Sequence, residues 1–247
     1  MTRLVTLEIY KLRTTPAAWV ALVVTVVLGL TSVASNILVT SPGGPAFGST
    51  DHVNHALSIS ALTAMVMLAI GVLVIAGEYR HRTIMQTYLG EPHRGRVLVA
   101  KLLTVGGIGS AVGAVMFALA YLEAVLVYGA RGVHVLPVDV PRLWLGTTLA
   151  TALYGILGVA LGALTRNTVA AILGGIAWAL VIEDGILRAA VPEIEKWFPT
   201  GAAISLTSTG SVSETLLSPA VAAAVLVGWT AVLAIVAARF TLNREAH

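Results

Sequence analysis

Six apolar runs, at about 17–39, 56–76, 102–128, 143–164, 168–190 and 219–238, decide what this chain can become. About 20 consecutive apolar residues cross the hydrocarbon core of a bilayer as a helix. Lipid offers no partner to backbone N–H and C=O groups, so each run must bond internally, as helices do. Composition agrees: 57% of residues are hydrophobic and 11% charged, and the mean hydropathy is +0.90. Soluble domains carry about 25% charge. The expected fold is an all-α membrane protein, one transmembrane domain over residues 1–247 with six transmembrane helices.

Charge orients the spans. With the N-terminus inside, the inner segments hold eleven Lys and Arg residues and the outer segments four. The positive-inside rule then places both termini in the cytoplasm. The same rule accounts for the net charge of +3 without nucleic acid. Twelve Arg against three Lys, with heavy use of Ala, Val and Gly, hints at a GC-rich bacterial genome and no more.

Residues 1–16 form an amphipathic lead-in, with Leu4, Leu7, Ile9 and Leu12 apolar and Arg3, Glu8, Lys11 and Arg13 charged. Pro16 suits the first turn of a new helix, so an interfacial helix meets the first span at an elbow. A signal peptide is the rival, with Ser32-Val33-Ala34 as a cleavage site. The run that follows exceeds the 7–15 residues of such a peptide's apolar core, so a retained span is expected.

The longest polar island in the first two thirds, Gly77–Lys101, holds five of the fifteen Lys and Arg residues. Within 79–89, Ile84 pairs with Tyr88 and Met85 with Leu89 at helical spacing, while Arg80, Arg82 and Gln86 make a polar face. Gly90 offers a stop and Pro92 enforces it. This short helix lies along the membrane face, either as an anchor to anionic lipid or as a docking surface for a soluble partner.

Glu183–Ser218 is too long for a plain connector and too apolar for a free loop. Pro192, Pro199 and Gly201 cut it into pieces. Short helices dipping into the outer interface are expected, with Trp197 at headgroup depth.

Several chemistries drop out. The chain has no cysteine, hence no disulfide, thiol nucleophile or cysteine metal site. None of Lys11, Lys101 and Lys196 follows a glycine, so no nucleotide-hydrolysing phosphate loop is present. Asp51, His52 and His55 resemble a metal cluster only superficially, because a site needs further ligands; Met65 and Met67 point to different helix faces. Glu123 is the one acid inside an apolar run, which marks it as a candidate. It lies about 33 Å beyond Lys101 along a helix, at the outer boundary. Gly109 with Gly113, Gly158 with Gly162, and Gly174 with Gly175 permit close helix contact.

The run Glu78-Tyr79-Arg80, Thr83-Ile84, Thr87, Leu89, Pro92, Arg94, Arg96-Val97 and Ala100-Lys101 resembles the first inner loop of ATP-binding-cassette (ABC) exporter permeases of the type-2 class. Many bacterial members act in antibiotic resistance or self-immunity. The layout of lead-in helix, six spans and apolar outer segment is similar throughout. The resemblance implies a transport subunit that is not itself an enzyme. Two permease subunits, identical or different, pair in the membrane. Two copies of a separate ATPase bind below, and ATP and magnesium belong to that partner. Residues 79–89 become the coupling helix: Glu78, Tyr79, Arg80, Thr83, Ile84, Thr87, Tyr88 and Leu89 contact the ATPase, while Gly90, Pro92, Arg96 and Lys101 shape the loop. Residues 1–15 become the connecting helix, the second and fifth spans line the path, and 183–218 forms the outer gate. Replacing Glu78 or Arg80 is then expected to uncouple ATP hydrolysis from transport without unfolding the bundle. The rival is an ion-gradient-driven transporter with no ATPase, which needs buried charges such as Glu123. A hydrophobic or amphipathic cargo (drug, antibiotic or lipid) suits the oily path.

Overall fold

The computed structural model describes residues 1–38, 46–57, 60–81, 83–91, 93–133, 139–208 and 216–243. Every element among them is helical. The lead-in is α1 (Thr2–Thr14), and Pro16 opens α2 (Pro16–Leu38). The second span joins α3 (Thr50–Leu57) to α4 (Ser60–Arg80). After the short α5 (Ile84–Gly90) come α6 (Arg94–Ala130) and α7 (Val140–Thr165). The fifth span runs through α8 (Thr168–Ala177), a π-helical stretch (Trp178–Leu187) and α9 (Arg188–Ala190). Then follow α10 (Pro192–Glu195), α11 (Pro199–Thr207) and α12 (Pro219–Asn243). Six of these helices, counting α3 with α4 and the fifth span as one each, are long and apolar enough to cross a membrane. The chain is therefore a multi-pass membrane protein by the length and composition of its helices.

The bundle is built around α7. Fifteen of its 26 residues are buried, on all sides. It packs chiefly on α4 and α6 and also touches α8, α11 and α12. Two thirds of the apolar stretch of the second and fourth spans is buried, against 28% or less in the other four. Spans two and four are the centre, and the rest surround them.

Lipid tails are as apolar as leucine, so spans associate by close packing, which small residues permit. A Cβ on Gly71 would lie 2.1 Å from the Gly155 carbonyl oxygen, and one on Gly158 would lie 2.0 Å from that of Leu68. The α4 and α7 backbones thus touch. Gly109 and Gly113 bring α6 against α7 at Ala152 and Thr148 in the same way. Gly174 meets nothing within 4 Å, and Gly175 meets only the leucine side chains of Leu68 and Leu161.

Two boundaries differ from the sequence reading. The island's helix does not start at Tyr79: α4 continues through Arg80, and neither His81 nor Thr83 is helical before Ile84. Nothing between Gly77 and Arg80 stops a helix already running. Gly90 is the last helical residue, and the stop falls on extended Glu91, at φ −143° and ψ 101°. Pro92 and Arg82 lie outside the described residues. The outer segment also goes deeper than expected: seven of the nine α11 residues are buried against α7, α12 and α4, while Trp197 stays half-exposed.

Gly158→Ala is expected to destabilise the bundle by roughly 1–3 kcal/mol through overpacking. Gly228→Ala in α12, where nothing lies within 4 Å, is expected to be neutral or slightly stabilising, because alanine favours the helix by roughly 0.5–1 kcal/mol. Melting curves of the two variants in one detergent check the opposite signs.

Candidate functional site: a buried charge junction at the base of the bundle

Lys101 is fully buried, on the first third of α6. An ammonium has three donors and no acceptor, and all three are used. They reach Glu8 Oε2 at 2.7 Å, Glu78 Oε1 at 2.8 Å and the Val74 carbonyl oxygen at 3.3 Å. Lys11 is less enclosed and also uses three: Glu8 Oε1 at 2.9 Å, Glu78 Oε1 at 2.9 Å and Thr87 Oγ1 at 3.2 Å. The Thr87 hydroxyl in turn donates to Glu78 Oε2 at 3.4 Å. Two carboxylates and two ammoniums form a neutral, saturated cluster that joins α1, α4, α5 and α6.

Each helix supplies its part by register. Glu8 and Lys11 sit three apart on α1, and Val74 and Glu78 four apart on α4, so each pair shares a face. Glu8 is the only buried residue of α1, while Leu7 and Tyr10 are 50% and 67% exposed. The lead-in helix is therefore docked by its charged pair, with Leu12 packing partly buried beside it. Burial works against the charge on Lys11, but hydrogen bonds and the charges of Glu78 and Glu8 outweigh it and raise its pKa.

Around the cluster the remaining island residues divide by direction. Ile84 is buried and seats α5, while Met85 and Leu89 point away at 64% and 85% exposure. Thr83 precedes α5 without a side-chain cap, and the Tyr88 and Gly90 backbones complete its last turn. The Tyr79 ring lies 5.2 Å beneath the Arg166 guanidinium, whose residue closes α7 in the left-handed conformation at φ 53°. Arg80 is exposed. Arg96 reaches Glu91 at 3.4 Å. The structure thus brings Glu78, Thr87 and Lys101 together and leaves Arg80 and Leu89 outward.

The sequence reading missed Glu8 and Lys11 as partners. Glu78 is shared by both lysines, so its removal leaves buried Lys101 with Glu8 as its one carboxylate.

A second polar locus lies at the other end. Glu183, the first residue of the outer segment in the sequence reading, is 1% exposed inside the fifth span. Its Oε2 accepts from the Thr200 N–H at 2.7 Å, at the start of α11, and Tyr154 donates to Thr200 Oγ1 at 3.3 Å. Glu195 is buried nearby, 3.7 Å from Arg188; burial raises its carboxyl pKa against the pull of Arg188. Glu123 is only partly enclosed. Asp51, His52 and His55 do not converge: His52 is buried against Tyr128 and Phe47, while the other two are exposed. Among the described residues, no group of three His, Asp or Glu side chains is arranged to hold a metal ion.

No protein-family model matches the chain. No curated protein matches it either.

Lys101→Met leaves two carboxylates short of a cation in a buried site, which typically costs about 3–5 kcal/mol. Lys11→Met removes an ammonium that is half exposed, so water can replace part of what it gives to Glu8 and Glu78, and it is expected to cost less. Size-exclusion profiles and melting temperatures of the two variants check that order. A group whose pKa is raised by folding gives its full stabilisation below its ordinary value, here 10.5, and loses it as pH rises through the raised one. The Lys11-dependent increment in melting temperature should therefore stay constant across the neutral range and fade only in strong alkali.

Proposed function

We propose that this chain is the membrane-spanning permease subunit of an ATP-driven exporter of the ABC type-2 class. In this reading it sits in a bacterial plasma membrane with both termini in the cytoplasm. It pairs with a second permease subunit and is driven by two copies of a separate ATPase that holds ATP and magnesium. Its cargo is a hydrophobic or amphipathic compound. The observation that carries the reading is α5: a helix outside the spans, seated by Ile84 and Thr87, with Met85 and Leu89 turned outward one turn apart. Exposed apolar pairs at i and i+4 are what a helix presents to a protein groove. The likeness of 78–101 to a type-2 inner loop supplies the partner's identity.

The mechanism follows from the junction. Closure of the ATPase dimer on ATP pushes α5. Thr87 passes that displacement to Glu78 and Lys11, and hence to α4, α1 and α6 together. The central pair α4–α7 moves as a unit, and a cavity open inward becomes open outward. Saturated ionic contacts suit this task because they hold one geometry: moving one member breaks several short bonds at once.

One observation favours the gradient-driven alternative. Glu183 is an acid enclosed within a span, and such groups relay protons in transporters.

Purification of the tagged chain from its host in mild detergent separates the two. An ATPase recovered with it, and lost in Leu89→Glu and Met85→Glu variants of unchanged melting temperature, supports the exporter. A folded chain recovered without an ATPase, whose proton-driven uptake is lost in Glu183→Gln, overturns it.

A further inference from the structure

A cavity of about 970 Å³ opens between α1, the elbow into α2, the α5 end of α4 and the start of α6. That is drug-sized or slightly larger, in the range of sites that hold a whole small amphiphile. Its apolar lining includes Leu4 and Leu7 of α1 and Ile70 and Leu73 of α4. Its polar lining includes Arg3 and His81 besides the charge junction.

The sign of the ligand follows from which charges are free. Glu8 and Glu78 are committed to Lys11 and Lys101, and every donor of both ammoniums is used. Glu91 in the lining faces Arg96 and His93. Among the lining residues described, Arg3 is an exposed guanidinium with no partner among the described residues, and His81 is exposed too. An anion finds an uncommitted cation here, whereas a ligand's ammonium finds no uncommitted carboxylate. Arg13 and Arg80 are exposed at the same end and add to the positive field.

Position identifies the source. The cavity lies at the edge of the bundle beside the amphipathic helix, and Leu7 in its wall is half-exposed. On the charge-based orientation this is the cytoplasmic leaflet, which carries acidic lipids. We propose that the cavity holds one acidic phospholipid of that leaflet, its phosphate at Arg3 and an acyl chain along Leu4, Leu7, Ile70 and Leu73. This site does not depend on the exporter reading; it needs only the six spans and their orientation.

The test is native mass spectrometry of the purified full chain, delipidated and titrated with phosphatidylglycerol, phosphatidylcholine or inorganic phosphate. One phosphatidylglycerol should be retained about fivefold or more above phosphatidylcholine, since one basic residue near a membrane surface is worth about that factor. Arg3→Glu should bring retention down to the phosphatidylcholine level. Leu7→Trp, which fills the apolar wall, should lower retention of both lipids. Arg131→Gln, beyond the far end of α6, should change neither. Equal retention of the two lipids overturns the proposal, as does retention that survives both Arg3→Glu and Leu7→Trp. Displacement of phosphatidylglycerol by inorganic phosphate at matched concentration also overturns it, by showing an anion site with no need of the chain.

Discussion

The contact on which this fold most depends is the buried ammonium of Lys101. Taking such a charge out of water costs several kcal/mol, and its attraction to a carboxylate offsets that only with good geometry and every donor met. Both conditions hold at 2.7 and 2.8 Å to Glu8 and Glu78. The requirement reaches back to the first turns of the chain. Glu8 is the one buried residue of α1, and Leu12 packs partly buried against the spans beside it, so the ionic contact and this apolar one hold the helix together. Without Glu8, Lys101 would have one carboxylate and an open side. The docking of the lead-in helix and the burial of α6 at this level are thus one event.

Above the junction the cohesion is of another kind. The α4–α7 contact is backbone on backbone, at Gly71 against Gly155 and at Gly158 against Leu68. Dispersion at that range is short-reaching, so the pair tolerates little sliding. The peripheral spans keep outward faces such as Val20, Val23 and Val27 on α2 and Val169 and Leu173 on α8. The molecule has a stiff axis of two helices with looser ones around it.

The six spans were legible because length and hydropathy are local and lipid leaves no alternative to a helix. Boundaries moved where tertiary structure has its own demands: α4 runs on to Arg80 to carry Glu78 to the lysines, and Tyr79 to Arg166. The junction was half legible. Glu78 and Lys101 stood out in a polar island, whereas Glu8 and Lys11 read as the solvated face of an amphipathic helix. Sequence separation hides a pairing of Glu8 with Lys101, and both faces of α1 look equally plausible by period. In the outer segment, hydropathy suggested an interface helix. The informative signal was size: Gly201, Ala202, Ala203 and Ser205 leave room for the close packing of α11, and Gly146 admits its Leu206 carbonyl oxygen, 2.2 Å from where a Cβ would stand. The π-helical stretch has no comparable signature, and with it went the inward turn of Glu183.

These contacts form a continuous line through the molecule. Thr87 on α5 meets Glu78 on α4; α4 meets α7 at Gly158; α7 meets α11 at Gly146 and through Tyr154 at Thr200. Contiguity alone is not coupling, which requires an element with two arrangements. Most of the line is unsuited to that role, because glycine-mediated backbone contacts and saturated ion clusters each have one good geometry. The stretch Trp178–Leu187 differs. It is the one part of the described spans that departs from the α-helix, and π-helical turns are rare and cluster at functional sites. Its Glu183 caps α11 through a single backbone N–H, that of Thr200. Winding sets the rotation of every residue beyond it, and in this π-helical stretch Glu183 faces Thr200. The outer segment is thus held in two ways, by close packing of α11 on α7 at Gly146 and by the hydrogen bond from Thr200 to Glu183 in the π-helical stretch.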